Sequence, residues 1–293
     1  MADKPPVAMA AAACVVPQGD STTPTAALWE LLLEGTPQFR RRPHLGTDLP
    51  LCTLPPQSPP RHATMLAVDV LRRVRPVLDD GPERTGLFVA TTKGELEPWL
   101  QSGASEPLSE LLAGLDAELP GLPAFRRTVS NACVSGAQAV MDAAELLQEG
   151  LLDQAVVLGV DGLTGFVAQG FASLQGASSS GARPFDAARD GLTLGEAAAI
   201  VVLRRAADCP GGSARLGGWG GSNDANHISG PSRDGGGLAL AIGRALADAR
   251  LEPGAIRAVC AHGTATRYND AMEARAFHAV FGNQPPPVFG VKG

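Results

Sequence analysis

The sequence predicts an α/β protein whose sheets are mostly parallel. Three observations lead there. Short apolar runs of strand length alternate with longer segments whose apolar residues recur at helical spacing. Glycine and proline punctuate the joints, with 35 Gly and 24 Pro in 293 residues. Hydrophobic residues reach 44% while charged ones stop at 18%, which suits a large core in one big domain or two moderate ones and does not suit disorder.

The elements follow in order. Residues 7–16 form an apolar run that predicts a buried first strand, closed by Pro17-Gln18-Gly19. Residues 26–33 predict a helix, with Trp29, Leu32 and Leu33 at helical spacing and Gly35 as its stop. Residues 43–60 carry six prolines and predict an irregular surface excursion. Then come a helix at 63–77, a strand at 85–91, a helical stretch at 108–115 closed by Pro120 and Pro123, and a short strand at 128–131. An Ala-rich helix spans 136–147, with Gly150 placed to end it. Strands at 155–160 and 192–203 complete the first half. The second half restarts the alternation with a strand at 214–223, a helix at 238–249, a strand at 256–261, a helix at 272–281 and a strand opening at 288.

Composition excludes several function classes. The net charge is −6 and the pI about 5.4, and no basic cluster is interleaved with aromatics, so nucleic acid is not an expected partner. The one dense basic run, Arg40-Arg41-Arg42, reads as a solvated loop; its other reading is a patch for an acidic partner. The five cysteines (Cys14, Cys52, Cys133, Cys209, Cys260) are odd in number, far apart and without CxxC spacing, which predicts neither a disulfide framework nor a zinc site and fits a reducing cytoplasm. The apolar start after Lys4 is short for a secretory leader, and the strand accounts for it better. No run reaches the roughly 18 apolar residues of a membrane span.

Three signals carry chemistry. The first is Ser130-Asn131-Ala132-Cys133-Val134-Ser135-Gly136, which joins a strand to an Ala-rich helix. A cysteine there meets unpaired amides and a helix dipole that favour a thiolate, and small neighbours let backbone N–H groups approach a substrate carbonyl. The bland reading of a free cysteine is an inert core residue; the strand–Cys–helix context argues against it. The second is Ala261-His262-Gly263-Thr264-Ala265-Thr266, followed by Asn269-Asp270 and Glu273. His262 ends an apolar strand, a rigid place from which to aim a catalytic group. The third is Lys292. Of 24 basic side chains only Lys4, Lys93 and Lys292 are lysine, and a lysine supplies a compact ammonium that arginine does not. Lys93 shows no evident role at this level.

In this order the residues resemble the β-ketoacyl-[acyl-carrier-protein] synthase family. The nucleophile segment Asn131-Ala132-Cys133-Val134-Ser135 is followed by Ala182-Arg183-Pro184-Phe185-Asp186-Ala187-Ala188-Arg189-Asp190-Gly191 running on to Gly195-Glu196. After these come Asp224-Ala225-Asn226-His227-Ile228-Ser229-Gly230-Pro231, the His262 segment, and Gly290-Val291-Lys292. The resemblance implies a thiolase-like fold of two βαβαβαββ halves in five layers, with residues 1–205 holding the nucleophile and 206–293 holding the histidine and lysine. It implies Cys133 as acyl acceptor, and His262 as the group that helps activate and decarboxylate the malonyl donor. It further implies Lys292 as a charge near it, acting through the supporting Glu273 and Asp270. Thr264 and Thr266 would bond the phosphopantetheine arm, and His227 would lie on the substrate side. No metal and no resident cofactor are implied, since phosphopantetheine arrives on the acyl carrier protein. That carrier, malonyl and acyl thioesters, and a second subunit in a homodimer or a heterodimer are the implied partners.

The family's second histidine and its later Gly/Phe-rich loop have no counterpart by motif among His44, His62, His227, His262 and His278. The chain therefore reads as an incomplete second half. On that reading it would condense weakly and leave an exposed edge around Val288, Phe289 and Val291. Ala265 also stands where the family usually has glycine. Three alternatives stay open: a non-catalytic partner subunit like a chain-length factor, a thiolase or starter-type synthase using coenzyme A esters, and a Cys133–His262 hydrolase.

Overall fold

The computed structural model describes residues 4–16, 39–41, 45–53, 63–79, 83–103, 106–227 and 230–292. The helix expected at 26–33, and His44 and His62, lie outside the described residues. Two compact units emerge. The first is drawn from residues 1–34, 53–164 and 195–216, and the second from 35–52, 165–194 and 217–293.

The first unit is built on a six-stranded sheet. Its strands are β1 (Val7–Val15), β2 (Thr85–Ala90), β3 (Phe125–Val129), β4 (Gln154–Asp161), β5 (Ala197–Arg205) and β6 (Arg215–Leu216), in the spatial order β3-β2-β4-β5-β1-β6. The β3-β2-β4 portion is parallel, as expected. The rest is not: β5 runs antiparallel to β4 and to β1, and β6 antiparallel to β1. The register places Asp161 opposite Ala197, so the connection between them leaves and re-enters at the same end of the sheet and the returning strand must reverse direction.

Helix α1 (Ala63–Asp79) covers one face of this sheet. Leu66, Ala67, Val70, Leu71 and Val74 recur at helical spacing, and all are buried in one cluster with Val156, Leu158 and Val160 of β4 and Ile200 and Val202 of β5. The alternation of β4 turns Ala155, Val157 and Gly159 to the other face. There helix α4 (Ser135–Gln148) packs with Ala139, Ala143, Ala144 and Leu147 buried. The small residues of α4 permit a close approach of helix to strand. Glu95, itself buried, accepts from the Thr64 amide at 2.8 Å and the Thr64 hydroxyl at 2.7 Å, which caps the first turn of α1. Two further helices stand among the described residues of this unit, α2 (Leu96–Ser102) and α3 (Pro107–Glu118). The first was not expected; it ends at Gly103, whose φ of 64° is the left-handed conformation that closes a helix.

The second unit contains α5 (Gly165–Ser173), α6 (Gly236–Ala249) and α7 (Arg267–Phe281), and a parallel pair β7 (Val259–Cys260) and β8 (Val288–Phe289). A short antiparallel pair, Arg40–Arg41 with Pro50–Cys52, replaces part of the irregular excursion expected at 43–60. The strands expected at 214–223 and 256–261 shrink to Arg215–Leu216 and Val259–Cys260. The first shortens because Gly218 and Gly220 lie on the backbone of α6 instead of in a ladder. A Cβ on Gly218 would stand 2.8 Å from Ala245 O, and one on Gly220 2.7 Å from Ala245 N.

Candidate active site

The first unit presents Cys133 in the tight turn between β3 and α4. Val134 is the helix N-cap, so the cysteine sits one residue outside the helix, at its amino end, and is exposed to solvent. Backbone bonds Val134 N–H to Asn131 O and Ser135 N–H to Ala132 O, both 3.2 Å, close the turn. It requires φ of 46° at Ala132, a conformation that costs an L-residue free energy and tends to mark functional turns. Ser135, 4% exposed, locks it: its hydroxyl donates to Ala132 O at 2.6 Å and accepts from the Asn131 amide at 2.8 Å. Ser135 belongs to the motif, but only the folded turn reveals that its hydroxyl locks it.

Beside this turn lie the ends of two parallel strands. Ser130 Oγ donates to Thr92 O at 3.3 Å. Asp161, ending β4, accepts from the Thr92 amide at 3.1 Å, the Thr92 hydroxyl at 2.8 Å and the Lys93 ammonium at 2.9 Å. Lys93, without a role in the sequence, thus pairs with the carboxylate that ties these strand ends together.

The second unit gathers His262, Lys292, Glu273, Asp270, Thr264 and Thr266. The Lys292 ammonium lies 2.7 Å from His262 Nδ1 and 2.7 Å from the His262 carbonyl oxygen. An ammonium only donates, so Nδ1 accepts and the proton of the neutral ring resides on Nε2. His262 retains exposed area, yet the atoms packed around its ring desolvate it and lower its pKa. The Lys292 charge lowers it further, while Glu273 and Asp270 oppose the shift. The ring is thereby kept neutral and able to donate from Nε2.

Glu273 is 2% exposed and holds the backbone under that ring. Its oxygens accept from the amides of His262 and Gly263, both at 2.7 Å, and from Asn269 Nδ2 at 2.8 Å. The Asn269–Glu273 bond spans one helical turn, a spacing readable in sequence. Asp270, 1% exposed, accepts from the Phe185 amide at 2.8 Å, and Arg189 stands 3.7 Å away. The Thr264 and Thr266 hydroxyls share a bond of 2.9 Å, which engages one of the two protons and leaves the other for a ligand acceptor. Ala265 between them has φ of 60° and is fully buried, so the position that usually holds glycine keeps a glycine-like conformation here. His227 is exposed, and nearby Asp224 accepts from the Asn226 and Ser232 amides at 3.2 and 2.7 Å. An apolar groove of about 480 Å³ runs beside β7, lined by Leu238, Ile242 and Leu246 of α6 and Phe277 of α7, with His262 and Glu273 also on its wall. Among the described residues no cluster of metal-ligating side chains occurs, and no helix is long and apolar enough to cross a membrane.

Two family descriptions match this chain in tandem: beta-ketoacyl synthase, N-terminal domain, over residues 81–209, and beta-ketoacyl synthase, C-terminal domain, over residues 213–293. The chain belongs to the β-ketoacyl synthase family. A mitochondrial 3-oxoacyl-[acyl-carrier-protein] synthase of Arabidopsis thaliana is 37% identical over 166 residues, 52% of this chain and 35% of the relative. A 3-oxoacyl-[acyl-carrier-protein] synthase 2 of Synechocystis is 31% identical over 218 residues, 71% of this chain and 49% of the relative. The chain thus spans half or less of these curated relatives. Among solved structures, a beta-ketoacyl synthase from Burkholderia phymatum superposes with a TM-score of 0.81 at 26% identity, covering 98% of this chain and 81% of that one. A ketosynthase in complex with its chain length factor from Xenorhabdus doucetiae gives 0.78 at 26% identity, over 97% of this chain and 78% of that one. The thiolase-like α/β class expected from the sequence is therefore the class of this chain.

Proposed function

We propose that this ketosynthase chain is an acyltransferase of the 3-oxoacyl-[acyl-carrier-protein] synthase type. The observation that carries the reading is the Lys292–His262 contact, which leaves an Nε2–H on a neutral ring. Cys133 as thiolate attacks the carbonyl carbon of an acyl thioester; the new C–S bond forms, the old one breaks, and the phosphopantetheine leaves as a thiolate that takes up the proton Cys133 gave up. In the malonyl thioester the bond to the carboxylate breaks, CO₂ departs, and the electron pair stays as an enolate. His262 Nε2–H donates to that enolate oxygen. Removing one donor to a developing oxyanion costs about 10²–10³ in rate. The α-carbon then attacks the acyl–Cys133 carbonyl and expels the thiolate. Thr264 and Thr266 bond the phosphopantetheine arm, and His227 lines the substrate side.

The remaining parts of the reading have their own support. Residues 1–205 and 206–293 would be the two thiolase-like halves, carrying the nucleophile and the His–Lys pair; the change from the N-terminal to the C-terminal family description between residues 209 and 213 supports that boundary, although residues 165–194 cluster with the second compact unit and 206–216 with the first. Partners are an acyl carrier protein bringing malonyl and acyl groups, and a second subunit. Edge strand β3, with Phe125 44% exposed, supports pairing with another copy or a related ketosynthase. Five free thiols support a cytoplasmic setting.

The test separates the two chemical steps. Cys133→Ala should abolish transfer from an acyl carrier thioester, measured by mass spectrometry of the intact protein. His262→Ala should keep acylation and lose malonyl decarboxylation, measured by CO₂ release. Equal loss of acylation in both variants would favour a hydrolase-like Cys–His pair. No acylation of the wild-type chain would favour the chain-length-factor-like partner subunit, a reading against which the presence of Cys133 already weighs.

A further inference from the structure

The signature at residues 182–191 takes no part in the chemistry just described, yet its placement is specific. Pro184 lies against two glycines at once. A Cβ added to Gly263 would stand 3.3 Å from Pro184 Cβ and 3.4 Å from Phe185 Cε2, and one added to Gly290 only 3.0 Å from Pro184 Cβ. Gly263 directly follows His262, and Gly290 precedes Lys292 by two residues. Pro184 therefore fills the space over the two backbones that carry the members of the Lys292–His262 contact.

Pro184 is held there from α7. The next residue, Phe185, has φ of 62°, a conformation costly for an aromatic residue and sustained only where the surroundings over-determine it. Its amide donates to Asp270 Oδ2 at 2.8 Å. Arg189 Nε lies 3.7 Å from the same oxygen, and its Nη2 donates to Arg267 O at 3.1 Å, so the strap returns to the start of α7 at a second point. Asp270 has 1% of its surface exposed, which leaves no solvent to substitute for either partner.

We propose that residues 182–191 form a positioning strap, in which Asp270 and Arg189 fasten Phe185 in its strained conformation so that Pro184 is wedged on Gly263 and Gly290 and sets the Lys292–His262 contact. Pro184, Asp270 and Arg189 are positioning residues; the reacting atoms meet His262. The catalytic side of this role rests on His262 being the enolate-side donor, whereas the ring geometry can be read without any turnover.

The test uses the full chain labelled with ¹⁵N-histidine. Long-range ¹H–¹⁵N correlation spectra report which ring nitrogen of His262 carries the proton. The wild type should show a single Nε2–H tautomer. Pro184→Gly, which removes the wedge, should give a mixture of tautomers, and Asp270→Ala should reproduce that spectrum. Asp270→Asn, which keeps an acceptor for the Phe185 amide but drops the charge facing Arg189, should fall between wild type and Asp270→Ala; a spectrum as mixed as that of Asp270→Ala would remove the Phe185 bond from the strap. Malonyl decarboxylation should fall by about 10²-fold in Pro184→Gly, the scale of a displacement near 1 Å. A folded Pro184→Gly that keeps the single tautomer overturns the strap, and it decides alone where Asp270→Ala fails to fold. A mixed tautomer with undiminished decarboxylation overturns the strap's part in catalysis. A mixed tautomer in a chain whose wild type does not decarboxylate leaves the strap standing and sinks the proposed function.

Discussion

Lys292 reaches His262 twice, through Nδ1 and through the backbone carbonyl, each at 2.7 Å. The second bond ties the exposed ammonium to the histidine's own main chain as well as to its ring. One cation thereby selects the tautomer and depresses the ring's basicity.

Lys292→Met should raise the pKa of His262. Burial is the first cause of its depression and Lys292 the second, against Glu273 and Asp270. Removing the cation leaves burial opposed by two carboxylates, so the titration moves up toward the ordinary histidine value of 6.5. The linkage has a definite sign. With the folded pKa below 6.5, the unfolded chain binds the extra proton first as pH falls. The contribution of His262 to stability is thus complete above 6.5 and is lost as pH drops through the lowered folded value. In Lys292→Met that acid sensitivity should shrink. A proton NMR titration of His262, with denaturant melts at several pH values, measures both; a midpoint that stays or moves down contradicts the assignment.

Glu273 should matter to stability more than a surface carboxylate does. It is buried and serves two backbone amides and Asn269. Glu273→Ala strands the His262 and Gly263 amides, at about 1–3 kcal/mol each where water cannot replace the acceptor. Glu273→Gln keeps one acceptor oxygen and should lose roughly half as much. Urea denaturation curves check the order. Equal stability of Ala and Gln variants would mean that solvent reaches these amides.

The nucleophile segment was legible because its signals are local. A short strand, small residues around Cys133 and an Ala-rich helix all lie within about twenty positions. What locks the turn was only half visible: Ser135 is in the motif, but its two hydrogen bonds, from the Asn131 amide and to the Ala132 carbonyl, are a matter of geometry. The strap was readable as a signature and silent as a device, because Pro184 meets Gly263 and Gly290, which lie far along the chain. Local pattern likewise misjudged residues 214–223. Their alternation reads as a strand, whereas the glycines within them are there to let a helix backbone approach. The antiparallel return of β5 is set by where the connection from β4 ends, and no periodicity records that.

The cysteines should react in an order set by exposure and local charge. Cys133 and Cys260 are exposed, while Cys14 and Cys209 are partly buried. Burial raises both of the latter thiols; Arg73 partly offsets it at Cys14, and Arg204 does so at Cys209, where Asp208 adds to the rise. Since the thiolate is the nucleophile, Cys14 and Cys209 should be alkylated more slowly than Cys133 and Cys260. Limiting iodoacetamide at neutral pH followed by peptide mass spectrometry gives the order. A carrier-bound acyl thioester should then select Cys133 over Cys260, because only Cys133 sits at a helix amino end within a locked turn. Equal acylation of the two would remove the special standing of that turn.

Two glycines of the second unit should respond in opposite directions to the same substitution. Gly220 lies on the backbone of α6. An added Cβ would meet Ala245 N at 2.7 Å and Arg244 Cβ at 2.7 Å, and Ala241 O closer still. Backbone does not step aside as a side-chain tip can, so the helix must be pushed off, and Gly220→Ala should cost about 3 kcal/mol, the upper end of ordinary overpacking. Gly243 is inside α6 itself, and a Cβ there would meet nothing within 4 Å. Its φ is not in the left-handed region, so alanine adopts the same backbone and removes the freedom that glycine has in the unfolded chain. Gly243→Ala should stabilise by about 1 kcal/mol. Paired thermal melts read both values in one experiment, and the double variant should be the sum less a small coupling, since Gly220 touches the same turn of α6. A Gly220→Ala protein as stable as wild type would show that the helix stands further off than the close approach described above.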